Sequence, residues 1–458
     1  MDRLAAQTAS VAGSRPDPVR NELGQLLKLA GPVVLARLGI MTMGLTDAII
    51  VGRYSATELG YHALGWAPTN VIITMVVGLL AGVQVMTARA VGEGRRGDAG
   101  AVLRRGIAYS LWIGLASTVF LLIVGPPFLR SIGLSQDLAE GATGPLLVFS
   151  LSLLPYAVSV AASFWLEGLS RPGPGVWAMW IANLVNLGLN LLLVPGTFGL
   201  PAMGAVGGGW ATLGARVALC VFMLAYIARM AEATELGVFR RPIRDRAAEA
   251  EQRRIGFGAG LSNVFEVAAF NSLNIIAGWI GALAVAGWAI VLNVTAVIFM
   301  VPLGLSTAAA VRVGSAYGAG DPAGERRATA VALGVTAVYG VLVGLVVLPL
   351  AGPIVGVYTH DAETLAMTVA GLALACLMFL PDALQVVAAQ SLRARGDVWA
   401  PTVTHLASYV LLMAPLAWWL AIPLGLGLPG MIWAIIIASL VSCGLLLART
   451  WMLNRRGR

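Results

Sequence analysis

Apolar runs of about twenty residues recur along this chain, broken by short stretches of Gly, Pro and charge, and no other feature limits its fold so narrowly. A helix needs about 20 residues to cross about 30 Å of hydrocarbon, where every backbone N–H and C=O must be satisfied within the segment itself. Twelve such segments can be marked, at about residues 26–50, 63–88, 106–125, 143–168, 175–196, 205–228, 255–280, 283–310, 329–350, 364–391, 400–423 and 428–450. Hydrophobic residues make up 58% of the chain and charged ones 11%, whereas soluble domains carry about 25% charge. A dozen helices and their loops use up all 458 residues and leave no sizeable soluble domain. The expected fold is an all-α polytopic membrane protein with 12 transmembrane helices.

The net charge of +8 does not point to nucleic acid, because the basic residues are scattered singly and in pairs between apolar runs. Most lie in the tails or the even-numbered loops, as with Arg95, Arg96, Arg104 and Arg105 after the second span and Arg240 to Arg254 after the sixth. The odd-numbered loops hold only Arg53 and Arg130. By the positive-inside rule, such asymmetry places both termini in the cytoplasm of a multi-pass protein of the cell (inner) membrane. Residues 1–25 hold no apolar core for a signal peptide and read as a cytoplasmic tail. Cys220, Cys376 and Cys443 sit inside apolar runs without CxxC spacing, so they read as small hydrophobes rather than a metal or redox set.

The longest polar stretch, 229–254, divides two halves of similar length: a first lobe at 26–228 and a second at 255–450, with a short tail at 451–458. Sliding one half on the other by 226 residues superposes 59–94 on 285–320 without a gap, so that Gly78, Gly92 and Gly94 meet Gly304, Gly318 and Gly320. A shift of 223 puts Leu169 and Gly173 on Leu392 and Gly396. Each half has an even number of spans, so the halves are related by an axis along the membrane normal. Two pseudo-symmetric six-helix bundles with a cleft between them is the architecture of an alternating-access transporter.

Charged groups in the spans are few. A carboxylate near the bilayer centre costs about 2.5–3.5 kcal/mol on insertion scales, which makes it a functional candidate by default. Asp47 lies toward the outer end of the first span, Glu266 about half-way along the seventh, and Asp382 behind Pro381 on the tenth. All three are candidates for cation coupling, and Glu266 and Asp382 for holding a sodium ion. Asn186 and Asn190, four apart on the fifth helix with Asn183 one turn earlier, would suit Asp47 as hydrogen-bond partners. With Trp288 and Asn293 of the eighth span they are the candidate polar cavity residues. His405, Arg37 and Arg216 are also marked inside spans. The acids do not follow the repeat, which suggests that the lobes have specialised. No Walker motif, GxSxG, HExxH or Cys/His cluster appears, so neither an enzyme nor a bound cofactor is expected.

GPVVLARLGIMTMGLTDAIIVGR on the first span, FEVAAFNSLNIIAGWIG on the seventh, VPLGLSTAAAVRVGSAYGAGD after the eighth and PDALQVVAAQSLRARGDVWAP on the tenth resemble the multidrug and toxic compound extrusion (MATE) family, in its NorM-like branch. The resemblance covers nearly all of 26–450. It implies two six-helix bundles in a V and sodium- or proton-driven export of organic, often cationic and aromatic, compounds. Glu266 and Asp382 would then be the second-lobe ion site, and Asp47 with Asn186 and Asn190 the first-lobe polar site. Two departures bear on substrate range: Trp288 and Ala289 stand where relatives often have a His-Gln pair, and the tenth-span loop reads LRARGD rather than LRGxGD. The expectation is a monomeric cation-coupled antiporter whose partners are small organic molecules, a monovalent cation and the lipid bilayer. A lipid-linked precursor flippase of the same superfamily and a channel or metabolite exporter are the alternatives.

Overall fold

A computed structural model describes residues 18–241 and 245–456, which contain no strand. Among them are twelve long helices: α1 (Pro18–Tyr54), α2 (Ala56–Gly92), α3 (Ala99–Ser131), α4 (Gln136–Gly168), α5 (Gly173–Leu193), α6 (Gly204–Arg229), α7 (Arg246–Ile280), α8 (Ala282–Gly318), α9 (Pro322–Gly356), α10 (Ala362–Ala394), α11 (Trp399–Ala421) and α12 (Gly427–Arg456). Eleven are long and apolar enough to cross a membrane; α7 falls short because Asn263, Glu266, Asn271 and Asn274 interrupt its apolar surface. The first helix starts inside the expected N-terminal tail, and residues 1–17, 242–244 and 457–458 lie outside the described residues.

Short polar side chains start several helices by accepting the first free backbone N–H groups. Asp245 accepts from Ala248, Asp321 from Gly324 and Asp361 from Thr364, at 3.0, 2.9 and 2.9 Å. Two helices are irregular. The α4 helix breaks at Ser152, where Thr118 donates to the freed Ser150 carbonyl (2.9 Å) and Arg216 donates to the Ser152 hydroxyl (2.6 Å). Residues Leu406–Met413 of α11 widen into a π-helical turn, a form that recurs at functional sites.

The two halves pack alike. In the first lobe α1 lies on α5, α5 on α6, and α4 against α2, α3 and α6; in the second, α7 lies on α11, α11 on α12, and α10 against α8, α9 and α12. Each lobe has its own apolar core, built around Trp165, Phe164 and Tyr156 in the first and around Tyr409, Phe379 and Trp288 in the second. Trp112, Ile123, Leu184 and Leu345 face outward, suited to hydrocarbon. The lobes meet through α2 on α7, α1 on α8, and α2 on α8.

That seam is made by the glycines of the repeat. Gly92 of α2 lies so close to α8 that a Cβ would overlap the carbonyl oxygen of Ser315, and a Cβ on Gly318 would overlap the carbonyl oxygen of Arg89. Shifting the first contact by 226 residues produces the second, so they are one contact repeated about a pseudo-two-fold axis. Gly78 against Gly260 and Gly304 against Val34 are related by the same shift. All these contacts lie toward the end of the bundle that carries the arginine-rich loops, and there the lobes are sealed.

Candidate cation-coupling site

Between the lobes lies a cavity of about 420 Å³, within the range of small-molecule pockets. Glu266 of α7 and Asp382 of α10 both reach it. Asp382 is buried, with Oδ1 accepting from the Tyr409 hydroxyl (3.3 Å) and from the Gln385 amide one turn on (3.5 Å). The widened turn of α11 presents Tyr409 and His405 to this region together. Glu266 Oε2 lies 3.9 Å from Nδ1 of His405, and that nitrogen pairs with the Ser262 hydroxyl at 2.9 Å. Phe164 from the first lobe and Phe270, Phe299, Phe379 and Tyr339 from the second give the walls an aromatic character.

The donors present are hard oxygens. Asn263, Asn271 and Thr295 line the cavity with the two carboxylates, and behind Asp382 the buried Oε1 of Gln385 has no hydrogen-bond partner. No group of three or more His, Cys, Asp or Glu side chains able to hold a metal occurs among the described residues. Two carboxylates with amide and hydroxyl oxygens fit a proton or a monovalent cation better than a multivalent one, which would call for more anionic ligands.

Asp47 belongs to a separate cluster inside the first lobe. Its Oδ1 accepts from the side-chain amides of Asn186 (2.9 Å) and Asn190 (2.6 Å), and its Oδ2 from the Thr212 hydroxyl (2.7 Å). Asn183 donates instead to the Gly39 carbonyl at 3.0 Å. Asn186 and Asn190 are fully buried on Asp47, as their spacing suggested, and do not border the central cavity in this state. The two other cavity candidates, Trp288 and Asn293, do not line it in this state either. Trp288 is packed in the second-lobe core with its indole N–H on Asn274 (2.8 Å), while Asn293 is exposed and donates to the Ala289 carbonyl (3.2 Å). The reason is helical phase: Leu292, Thr295, Phe299, Pro302 and Ser306 follow three- and four-residue spacing along the cavity face of α8, and Asn293 falls off it.

Arg216 is buried between Trp66 and Tyr156 and does not reach the cavity, whereas Arg37 does. Sequence reasoning missed a fourth acid in the spans. Glu167, in WLEG at the end of α4, accepts from Gln84 of α2 at 2.7 Å. Its place inside the marked fourth span was the available signal. Arg393 was also missed, because α10 runs on to Ala394 and carries this arginine into the cavity wall, where it donates to Gln390 at 3.0 Å.

A single family model, MatE, matches this chain twice, at residues 32–192 and 259–419, once in each lobe. The chain belongs to the MatE family. A probable multidrug resistance protein NorM of Caulobacter vibrioides is 60% identical over 403 residues, covering 88% of this chain and 86% of its own. The multidrug resistance protein PmpM of Pseudomonas aeruginosa is 30% identical over 392 residues, covering 84% and 81%. Among solved structures, a MATE in the bent conformation superposes with TM-score 0.88 at 19% identity over 96% of this chain and 98% of that one. A multidrug resistance MATE transporter in an outward-facing conformation gives 0.87 at 19% identity over 95% and 96%. These structural likenesses establish the MATE fold of twelve helices in two bundles.

Proposed function

We propose that this MatE-family protein is an antiporter that exports organic, cationic or aromatic drugs and toxic compounds from the cytoplasm, driven by inward flow of sodium ions or protons. The observation that carries the reading is the convergence of Glu266 and Asp382, from two helices of one lobe, on an aromatic-walled cavity between the lobes. The names of the relatives describe multidrug resistance for those proteins, which supports the reading. Coupling requires that ion and substrate differ in affinity for the two facing states, because a ligand that binds both equally shifts nothing. The seal at the arginine-rich end makes this the state open toward the other side. An incoming cation neutralises the acids and weakens their hold on a cationic substrate, and opening of the seal then exposes the acids to the cytoplasm. Each charge gains about 2.3 kcal/mol per 100 mV of membrane potential, so one or two ions suffice.

The protein is read as acting alone as a monomer in the inner membrane, with both termini cytoplasmic. The flippase reading is weaker because the cavity's two arginines, Arg37 and Arg393, are matched by two acids, Glu266 and Asp382, and so do not make a basic surface, and the channel reading because the path is closed at one end. Ethidium efflux from proteoliposomes under an imposed sodium gradient, and then a proton gradient, tests the proposal. Glu266→Gln and Asp382→Asn should each abolish gradient-driven efflux at normal protein level; full activity in both would overturn the assignment.

A further inference from the structure

The three helices that carry Asp47, Glu266 and Asp382 are all pinned, at the sealed end, by an arginine of the opposite lobe. Arg89 of α2 crosses into the second lobe and is nearly buried there. Its Nη1 donates to Glu251 of α7 (3.4 Å), and its Nε and Nη2 donate to the Ala394 carbonyl at the end of α10 (3.0 and 2.8 Å). The guanidinium also lies over the ring of Tyr317 on α8, 4.7 Å from its centre. A cation on the free carbonyls of a helix C-terminus is favoured by both the hydrogen bonds and the helix dipole. The same side chain therefore ties together the cytoplasmic ends of α7 and α10, the helices of Glu266 and Asp382. In the reverse direction, Arg312 of α8 grips Glu22 of α1, the Asp47 helix, through two bonds of 2.7 and 2.8 Å. Under the 226-residue shift Arg312 falls at Met86, three residues from Arg89, and Glu22 at Ala248, three from Glu251. Residues three apart share a helix face, so the two pins are counterparts about the pseudo-two-fold axis.

We propose that Arg89 and Arg312 are positioning residues of the transport cycle: they hold the acid-bearing helices in the sealed arrangement and must release before the cytoplasmic side opens. This rests on the antiporter reading, yet the pins themselves are read by conformation and not by transport. Both bond sets cross between lobes, and neither survives separation of the lobes at that end. Ion or substrate events that shift α7 against α10 act directly on Arg89, because it bonds both.

The test is a distance measurement between spin labels on Arg96→Cys and Ala323→Cys, exposed positions of opposite lobes at the sealed end, with the native cysteines replaced and the protein in proteoliposomes. Arg89→Gln and Arg312→Gln should each raise the long-distance, cytoplasm-open population about tenfold, the effect of weakening a charge-assisted contact by about 1.4 kcal/mol. Arg89→Lys should lie between, and the exchange Glu22→Arg with Arg312→Glu should return the distribution toward the parent. Unchanged distances in both glutamine variants would overturn the proposal, as would lowered melting temperature with no change in distance. If Glu266→Gln leaves gradient-driven transport intact while the arginine variants still shift the distances, the coupling assignment fails and the pins stand.

Discussion

Asp47 permits a test in which two substitutions at one buried carboxylate have different outcomes. Its Oδ1 accepts from two amides and its Oδ2 from a hydroxyl, so replacing it with alanine leaves three donors facing an apolar gap. Each unsatisfied buried donor costs about 1–3 kcal/mol, and with partial relaxation the loss should be roughly 3–5 kcal/mol. At about 2–4 °C per kcal/mol for a unit of 150–250 residues, Asp47→Ala should melt on the order of 10 °C or more below the parent. Asp47→Asn should cost much less. The carbonyl oxygen of the new amide can keep both asparagine bonds, and its NH₂ group can donate to Thr212, whose hydroxyl rotates from donor to acceptor. Thermal unfolding in detergent, followed by tryptophan fluorescence, should place Asp47→Asn within about 1 kcal/mol of the parent. Equal destabilisation by asparagine and alanine would refute the hydrogen-bond reasoning and indicate that the negative charge itself holds the cluster.

Gly318→Ala places a methyl group into the Arg89 carbonyl, and overpacking of this kind costs about 1–3 kcal/mol, so labels across the seal should report a wider mean separation; an unchanged distance would contradict the close approach. Trp288→Phe should lower stability by roughly 1 kcal/mol, through loss of the indole N–H bond to Asn274, while ethidium affinity by fluorescence titration stays at the parental value. Asp361, outside the spans, has its carboxylate held below its ordinary 3.8 by bonds from the Thr364 hydroxyl and N–H. Its stabilising contribution is therefore present above that value and lost as pH falls through the lower folded value. Asp361→Asn should make the acid side of a melting-temperature profile shallower, and an identical slope would count against the cap.

The apolar runs, the arginine asymmetry and the repeat made the twelve helices and their division into two lobes legible, because hydrocarbon leaves a chain few ways to satisfy its backbone. Glu266, Asp382 and Asp47 were legible for the related reason that charge in a span is costly. The Asp47 partners could be anticipated from four-residue spacing on one helix. Trp288 and Asn293 could not be placed: both lie on α8, and only the packing of α8 against α7 and α10 decides which of its faces borders the cavity. Glu167 and Arg393 were hidden by their position at span ends, where sequence alone does not distinguish a hydrated side chain from one buried against another helix.

The sequence alone therefore determined the solvent, the number of helices, the two-fold repeat and three of the acids in the spans, all of which follow from local hydropathy and charge. Tertiary structure alone decided that Glu266 and Asp382 share a cavity while Asp47 stands apart, and that the repeated glycines form the seam between lobes. Those facts depend on contacts between residues far apart in the chain, set by helix rotation and close packing, and no window of sequence contains them.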